Sequence, residues 1–164
     1  MSGAPPLRIG HGVDAHRLVP GRPLILGGVT VPFDRGLEGH SDGDAVAHAL
    51  ADAVLGAAGL GDLGRHFPSS DARLAGIGSL LLLAEAARMA RAAGLEVASA
   101  QVVVVAQQPR LADHVAAMAE RLAGALDVPA DRLAVTATTT DGMGFTGRGE
   151  GIAASAVALL CPVS

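Results

Sequence analysis

The segment from His40 to Ala58 constrains the fold more than any other, because a polar loop continues there directly into an apolar helix. Ser41, followed three residues later by Asp44, fits the pattern of a helix N-cap, in which polar side chains accept hydrogen bonds from free backbone N–H groups. The apolar residues after Asp44 recur at spacings of three and four, namely Ala45, Val46, Ala49, Leu50, Ala53 and Val54. The segment therefore predicts a helix that runs to about Ala58 and buries one apolar face.

Small apolar side chains must form the core. Half of the residues are hydrophobic, yet only three are aromatic, and all three are Phe. The core is therefore expected to consist of Ala, Val, Leu and Ile, which favours close packing of helices on a sheet. A chain of 164 residues is long enough to bury such a core as one domain spanning residues 1–164.

The charged residues argue against several classes of function. All twelve basic residues are Arg and lie scattered along a chain of net charge −4, which argues against a nucleic-acid-binding surface. The absence of Lys excludes a Schiff base and a P-loop lysine. The single Cys161 forms neither an internal disulfide nor a zinc site with several thiolates, so we expect a reducing, cytoplasmic location.

No part of the sequence predicts an association with membranes. The first eight residues contain two prolines and no apolar stretch, so we expect that they are not a signal peptide. The most apolar run, from Leu80 to Ala84, is too short to span a bilayer and is followed by Glu85 and Arg88.

The remaining elements predict an α+β fold. Strands are expected at residues 7–16, 96–107, 133–140 and 152–160, a hairpin at 24–31 with its turn at Gly27–Gly28, and helices at 44–58, at 77–93 and from Pro109 onwards. The run Val102–Val105 is typical of a strand that is buried on both faces. The order of elements favours a mixed β-sheet with helices on one face. The other face then needs a cover, which we expect another subunit to provide.

Three residues are candidate metal ligands. Asp14 and His16 lie two residues apart at the end of a predicted strand, so their side chains share one face. Together with His48 of the predicted helix they would provide one carboxylate and two imidazoles, which leaves a fourth tetrahedral position open, as in catalytic Zn²⁺ sites. Asp44 and Asp52 lie on the same side of the helix as His48 and are expected to orient its ring.

The same residues also fit an arrangement without a metal. Asp14 and His16 fit an exposed strand end, and acids near the start of a helix commonly serve as caps. The segment 40–52 is a poor match for an EF-hand loop, because the alternating oxygen ligands and the late Glu are missing. The residues alone leave both readings open.

The glycines from Gly142 to Gly147 match the spacing of a dinucleotide-binding loop, but their context does not. That fingerprint needs a following helix, whereas the seventeen residues after Gly147 predict a strand. We therefore reject a Rossmann site. Thr138 to Asp141 end a strand, and the next loop exposes backbone donors and hydroxyls that fit phosphate oxygens. A plain hairpin turn fits the same residues.

Several motifs, taken together and in order, resemble those of the 2-C-methyl-D-erythritol 2,4-cyclodiphosphate synthase family over residues 7–160. The motifs are Asp14-Ala15-His16, His40 to Asp44 with His48 and Asp52, Gly61-Asp62, Phe67-Pro68, Ala106 to Pro109, Thr138 to Thr140, and Gly144 to Gly151. The resemblance implies a phosphorus–oxygen lyase of the non-mevalonate isoprenoid pathway. It would convert 4-diphosphocytidyl-2-C-methyl-D-erythritol 2-phosphate to the 2,4-cyclodiphosphate and CMP, by attack of the 2-phosphate on the β-phosphate. It also implies a homotrimer with active sites between subunits.

The resemblance assigns roles to individual residues. The three candidate ligands would hold Zn²⁺ or another divalent transition metal, and His40 and Thr139 would stabilise charge in the transition state. Asp141 would serve a second cation, Mg²⁺ or Mn²⁺, that bridges the α- and β-phosphates. The residues implied to bind the cytidine diphosphate-linked substrate are Asp14, Ala15, His16, His40, Ser41, Asp62, Leu63, Gly64, Phe67, Pro68, Ser69, Ser70, Asp71, Ala106, Gln107, Gln108, Pro109, Arg110, Leu111, Ala112, Thr138, Thr139, Thr140, Asp141, Phe145 and Arg148.

The chain departs from the family pattern at three positions. The family usually has Glu at the position of Asp141, which is one methylene shorter, so contact with the second cation is either direct or mediated by water. The family often has Lys at the positions of Arg110 and Gly142.

Two alternative functions are a metal-dependent phosphohydrolase that uses zinc-bound water and a non-catalytic trimer that binds cytidine nucleotides.

Overall fold

The computed structural model describes residues 6–164 of the chain. Most of the segment that we expect not to be a signal peptide therefore lies outside the described residues. The helices and strands are β1 (Arg8–Pro20), β2 (Leu24–Leu26), β3 (Val29–Val31), β4 (Arg35–Leu37), α1 (Ala45–Ala57), α2 (Leu63–His66), α3 (Ser79–Ala92), β5 (Leu95–Val105), α4 (Val115–Leu126), β6 (Leu133–Thr138), α5 (Gly144–Gly147) and β7 (Gly151–Pro162). Short 3₁₀ turns lie at Ala72–Leu74 and Ala130–Arg132.

Five strands form one mixed sheet in the order β4-β1-β7-β5-β6. The strands β5 and β6 are parallel, whereas β7 is antiparallel to both of its neighbours, β1 and β5. The strands β2 and β3 form a separate hairpin whose turn is Gly27–Gly28, as predicted. The α+β class and the mixed sheet are therefore confirmed.

Helix α1 packs directly on β1 because glycines face it. A Cβ atom added at Gly10 would lie 1.9 Å from the backbone oxygen of Ala53, and one at Gly12 would lie 2.0 Å from that of Ala49. Only glycine permits this separation, and the short separation brings the side chains of the helix down to the strand. The helix is buried on nearly all sides rather than on one face. The prediction of a single buried face was too narrow, because α3 and the sheet pack on different sides of α1.

The opposite face of the sheet carries exposed apolar side chains. Ile9 is 73% exposed, Val13 is 61% exposed and Val157 is 40% exposed. On β5, Val102 and Val104 are buried, but the two alternating valines, Val103 and Val105, are only half-buried. The prediction that this run is buried on both faces therefore fails within the single chain, since the helices among residues 6–164 cover one side of the sheet and leave the other exposed.

Several element boundaries differ from the predictions. Strand β1 continues to Pro20 because its end pairs with β4, a strand that the sequence did not predict. Pro109 does not begin a helix: the segment around it is a loop with a cis Gln108–Pro109 bond, and α4 begins at Val115. Among the described residues, no helix is both long and apolar enough to cross a membrane.

Candidate active site

The structure brings Asp14, His16 and His48 together at the contact between β1 and α1. The Asp14 Oδ2 atom lies 2.7 Å from His16 Nε2 and 3.1 Å from His48 Nδ1, and the two imidazole nitrogens are 3.3 Å apart. One ligand atom from each residue lies within 4.8 Å of the others, and all three side chains are half-buried. Two imidazoles and one carboxylate at this spacing match the donor set of an open zinc site.

The ring of His16 is held from behind by the backbone. Its Nδ1 lies 2.6 Å from the carbonyl oxygen of Glu38. A carbonyl only accepts hydrogen bonds, so Nδ1–H donates and the lone pair of Nε2 points to the other two ligands. Glu38 is itself fixed at the end of β4, where its N–H donates to the Arg17 carbonyl at 2.8 Å.

The charges of the triad suit a divalent cation. Burial by itself raises the pKa of Asp14, but its contacts with the His16 and His48 rings outweigh burial and bring this pKa to about 2. The contact with the Asp14 carboxylate raises the pKa of His16, against the opposing effect of burial. The carboxylate is negatively charged at neutral pH, and it faces the nitrogens of His16 and His48 where a cation would lie.

Neither acid that we expected to orient His48 contacts its ring. Asp44 is the N-cap of α1, in place of Ser41, and accepts from the N–H of Ala47 at 3.0 Å. Its buried carboxylate also accepts from the N–H groups of the Gly27–Gly28 turn at 2.8 and 2.7 Å. Asp52 accepts from Leu63 N–H at 2.7 Å. Both predictions were wrong, because helical spacing identifies a shared side but not the elements that pack there.

A cavity of about 340 Å³ opens beside the three ligands, and we call it the triad cavity. It contains eight of the residues implied to bind substrate, namely Asp14, His16, His40, Ser41, Leu63, Gly64, Phe67 and Ser69. Asp62, Pro68, Ser70 and Asp71 are not among its lining residues. Asp62 instead caps α2 through Arg65 N–H, and Asp71 pairs with Arg73 while its carbonyl accepts from His40 Nε2–H at 2.9 Å.

A second cavity, of about 430 Å³, lies at the carboxyl ends of β5 and β6, and we call it the loop cavity. Its lining consists of Ala106–Ala112 and Ala137–Thr139, together with Phe33, a residue that the sequence did not suggest. Thr140 and Asp141 lie beyond the lining. The loop that carries them is tied to the cavity wall by Gly142 N–H, which donates to Gln107 Oε1 at 3.0 Å.

Three predicted residues lie elsewhere. Phe145 lines a smaller cavity of about 220 Å³ together with Ala15, whose side chain points away from Asp14 and His16 because neighbours on a strand alternate between faces. Arg148 does not line this cavity and instead pairs with Glu150 at 3.1 Å.

A family model described as the YgbB family matches residues 7–161. The chain belongs to the YgbB family. A 2-C-methyl-D-erythritol 2,4-cyclodiphosphate synthase from Moorella thermoacetica is 58% identical over 154 residues, which are 94% of this chain and 94% of that protein. The family relationship agrees with the motifs that the sequence analysis singled out.

Solved structures share the fold of this YgbB-family chain. A 2C-methyl-D-erythritol-2,4-cyclodiphosphate synthase in its CDP-bound form is 42% identical with a TM-score of 0.85, covering 93% of this chain and 99% of that chain. The bifunctional IspDF from Campylobacter jejuni is 40% identical with a TM-score of 0.94. The match covers 98% of this chain, which spans 44% of the bifunctional protein.

Two residues near the site had no signal in the sequence. Ser79 begins α3, and its Oγ lies 2.7 Å from His48 Nε2. Arg22 donates to the carbonyls of Gly39 and Ser41 at 2.9 Å each and so holds the loop that carries His40. Both act across the fold from distant parts of the sequence, which is why motif spacing did not reveal them.

Proposed function

We propose that this YgbB-family chain converts 4-diphosphocytidyl-2-C-methyl-D-erythritol 2-phosphate to 2-C-methyl-D-erythritol 2,4-cyclodiphosphate and CMP. It would be a phosphorus–oxygen lyase of the non-mevalonate isoprenoid pathway. The observation that carries the proposal is the convergence of Asp14, His16 and His48 within 4.8 Å in a chain whose relatives bear the name of that synthase. We further propose that residues 1–164 form a single cytoplasmic domain that binds no nucleic acid.

The triad fits Zn²⁺ or another divalent transition metal. Asp14, His16 and His48 would hold the ion, and behind each imidazole an oxygen lies within hydrogen-bonding distance of its second nitrogen. When bound, such an ion supplies a Lewis acid that withdraws charge from a phosphate oxygen.

The chain itself has to fold the substrate and balance its charge. The 2-phosphate of the substrate is the nucleophile, so the protein needs no activated Ser or Cys, and positioning supplies much of the rate. His40 and Ser41 line the triad cavity and would contact the diphosphate there. His40 and Thr139 would stabilise the charge that the phosphate oxygens gain in the transition state.

The loop cavity is the proposed site for the cytidine and its phosphates. Arg110 is exposed at its wall and offers a guanidinium that pairs with phosphate in two-pronged fashion. Asp141 lies in the next loop, where its carboxylate would hold Mg²⁺ or Mn²⁺, an ion that would supply positive charge to the phosphates. A cytidine nucleotide here is consistent with the CDP-bound relative.

The proposed active form is a homotrimer. His40 lines the triad cavity and Thr139 lines the loop cavity, so the two residues implied to act together line different cavities of one chain. An active site between subunits would combine the triad cavity of one copy with the loop cavity of the next. The exposed apolar residues of the open sheet face, among them Ile9 and Val13, supply a surface for such contacts.

The test follows the phosphorus atoms of the substrate. The purified protein is incubated with 4-diphosphocytidyl-2-C-methyl-D-erythritol 2-phosphate, Zn²⁺ and Mg²⁺, and the products are identified by phosphorus NMR. We expect the cyclic diphosphate and CMP in equal amounts. Linear hydrolysis products would indicate a phosphohydrolase, and tight binding without turnover would indicate a nucleotide-binding protein. Either result would contradict the proposed reaction.

A further inference from the structure

A chain of hydrogen bonds leads from the ring of His48 to two residues that have no role in the proposed reaction. Ser79 is buried at the start of α3, and its Oγ lies 2.7 Å from His48 Nε2. The same Oγ contacts Oδ1 of Asp42, a residue of the loop that precedes α1. The first residue of α3 thus connects a candidate metal ligand to a carboxylate outside the triad.

The donors around Asp42 determine the direction of these hydrogen bonds. Its Oδ1 accepts from Asp44 N–H at 3.0 Å, and its Oδ2 accepts from Ser79 N–H at 2.9 Å. Both oxygens therefore act as acceptors, and a carboxylate has no hydrogen of its own to donate. The hydroxyl proton of Ser79 must then point to Asp42. The Ser79 oxygen is left as an acceptor that faces His48.

We propose that Ser79 and Asp42 are positioning residues that keep the proton of His48 on Nε2 and direct the lone pair of Nδ1 at the metal site. The Nε2–H group donates to Ser79 Oγ. The Nδ1 atom lies 3.1 Å from Asp14 Oδ2 and 3.3 Å from His16 Nε2, so its lone pair faces the other two ligands. This inference rests on the proposed function only in taking the triad to be a metal site.

The two imidazoles of the site differ in what lies behind them. His16 is backed by the carbonyl of Glu38, which can only accept. His48 is backed by a hydroxyl, which can either accept or donate. Without Asp42, Ser79 could turn its proton toward Nε2, and the imidazole proton would then move to Nδ1, where it would block metal binding. Asp42 therefore makes the Ser79 hydroxyl act as an acceptor toward His48, as the Glu38 carbonyl does toward His16.

The hydroxyl of Ser41 is the second oxygen near this ring, and it does not replace Ser79. Its Oγ lies 3.1 Å from His48 Nε2, and the N–H of Gly43 lies 3.4 Å from it. Its hydroxyl proton has no carboxylate acceptor among these contacts, so its direction is not constrained in the same way. Ser79 also makes the shorter contact. We therefore assign the tautomer of His48 to the pair Ser79 and Asp42.

The test is the affinity for Zn²⁺ of Ser79→Ala and Asp42→Ala, measured by competition with a chromophoric chelator at constant pH. We expect each variant to bind Zn²⁺ about 10–100-fold more weakly, the usual effect of changing a residue behind a metal-binding His. Asp42→Ala is the sharper change, because it removes the acceptor of the Ser79 hydroxyl proton and leaves the hydroxyl itself in place.

Matched controls and a spectroscopic signal complete the experiment. Ser99→Ala and Asp34→Ala change exposed residues of the same types and should bind Zn²⁺ like the wild type. Imidazole nitrogen NMR of the zinc-loaded protein should show a slowly exchanging Nε2–H of His48 that loses its protection in Ser79→Ala. Circular dichroism establishes that each variant is folded. If Asp42→Ala does not fold, the affinity of Ser79→Ala and the Nε2–H signal of His48 test the inference.

Two results would overturn the inference. One is wild-type affinity for Zn²⁺ in Ser79→Ala. The other is a loss in Ser79→Ala with no loss in a folded Asp42→Ala, since Ser79 would then act without its hydrogen bond to Asp42. Measuring turnover distinguishes a failure of this inference from a failure of the proposed function. A protein that shows both losses but makes no cyclic product defeats only the proposed reaction, whereas normal turnover with unchanged affinities defeats only the inference.

Discussion

The triad cavity and the loop cavity are built in different ways. The triad lies where a buried helix meets a strand, and oxygens of the Glu38 carbonyl and the Ser79 hydroxyl hold the two imidazoles from behind. The loop cavity is walled by residues 106–112 and 137–139, where most polar groups are exposed and the hydrogen bonds of Gln107, Thr138 and Thr139 stay within the neighbouring loop. The first region is organised before any ligand arrives. The second offers shape and donors that a ligand or a neighbouring subunit would have to complete.

Because of this difference, substitutions in the two regions should have different effects. Changes in the triad region should affect stability, metal affinity or activity, because its ligands are held by core contacts. Changes in the loop cavity should affect ligand binding and leave the fold intact.

Removing one metal ligand should have the largest effect. We expect His48→Ala to lower kcat/KM by at least about 10³-fold, because a metal acting as Lewis acid contributes several kcal/mol to the barrier. Zinc content, measured by atomic emission, should fall with it while the far-ultraviolet circular dichroism is kept. His114→Ala, a change at a half-buried His before α4, serves as the control. Full activity in a zinc-free His48→Ala protein would defeat the metal assignment.

The close approach of α1 to β1 can be tested with two glycines. Gly12→Ala places a Cβ atom 2.0 Å from Ala49 oxygen, so we expect a loss of about 3 kcal/mol in the free energy of unfolding, the upper range for overpacking. Gly56→Ala on the same helix has no atom within 4 Å and should be neutral or slightly stabilising. Urea unfolding of both variants checks this, and equal stabilities would contradict the packing argument.

The buried N-cap Asp44 should matter for stability rather than for metal chemistry. Asp44→Ala would leave N–H groups of Gly27, Gly28 and Ala47 without their acceptor, at a cost of about 2–4 kcal/mol in the free energy of unfolding. Asp34→Ala, at an exposed side chain, should change the free energy by less than about 0.5 kcal/mol. Thermal unfolding would show the contrast. A small loss of stability in Asp44→Ala would mean that water replaces the carboxylate as the hydrogen-bond acceptor.

In the loop cavity, the expected effect is on binding alone. Arg110→Met should weaken CDP binding by about 10–100-fold, since a hydrogen bond to a charged group contributes about 1.5–3 kcal/mol. Because Arg110 is exposed, the midpoint of thermal unfolding and the affinity for Zn²⁺ should stay unchanged. Arg132→Met, exposed before the start of β6, is the matched control. Calorimetry measures the affinity of each variant for CDP. A lower thermal stability of Arg110→Met would contradict the expected difference between the loop cavity and the triad region.

The smallest effect concerns the pH dependence of stability through Asp52. Burial raises the pKa of Asp52 above 3.8, against the opposing hydrogen bond from Leu63 N–H. The folded protein thus holds this proton more tightly than the unfolded chain, so the contribution of Asp52 to stability declines as the pH rises from 3.8 through the raised pKa. In Asp52→Asn the side chain does not titrate, so this pH-dependent loss of stability is absent. The stability of the variant relative to wild type should rise over this window by less than about 1 kcal/mol, as urea unfolding at several pH values would show. A difference in the free energy of unfolding that does not change with pH would contradict this prediction.

Local patterns predicted the elements with strong periodicity. The helix after Asp44, the Gly27–Gly28 hairpin and the valine-rich β5 all formed within a few residues of their expected bounds. Strand β4 was missed because it has only three residues and exists through its pairing with the end of β1. Pro109 was misplaced because a proline fits a loop as well as a first helical turn.

For the candidate site, the sequence predicted which residue types could bind a metal and not what holds them. Asp14 and His16 shared a face because strand neighbours two apart always do. Asp44 and Asp52 had suitable spacing but face a hairpin turn and the start of α2. Ser79 was invisible, since it lies 31 positions from His48 and stands at the start of a different helix.

By itself, the sequence determined the small-residue core, the amphipathic elements and the set of possible metal ligands, because composition and periodicity are properties of the chain alone. Only the tertiary structure decided that His48 meets Asp14 and His16, since glycines on β1 let α1 descend to contact distance. It alone also decided which acceptor stands behind each imidazole, because hydrogen-bond partners are chosen by packing between elements that are distant in the chain.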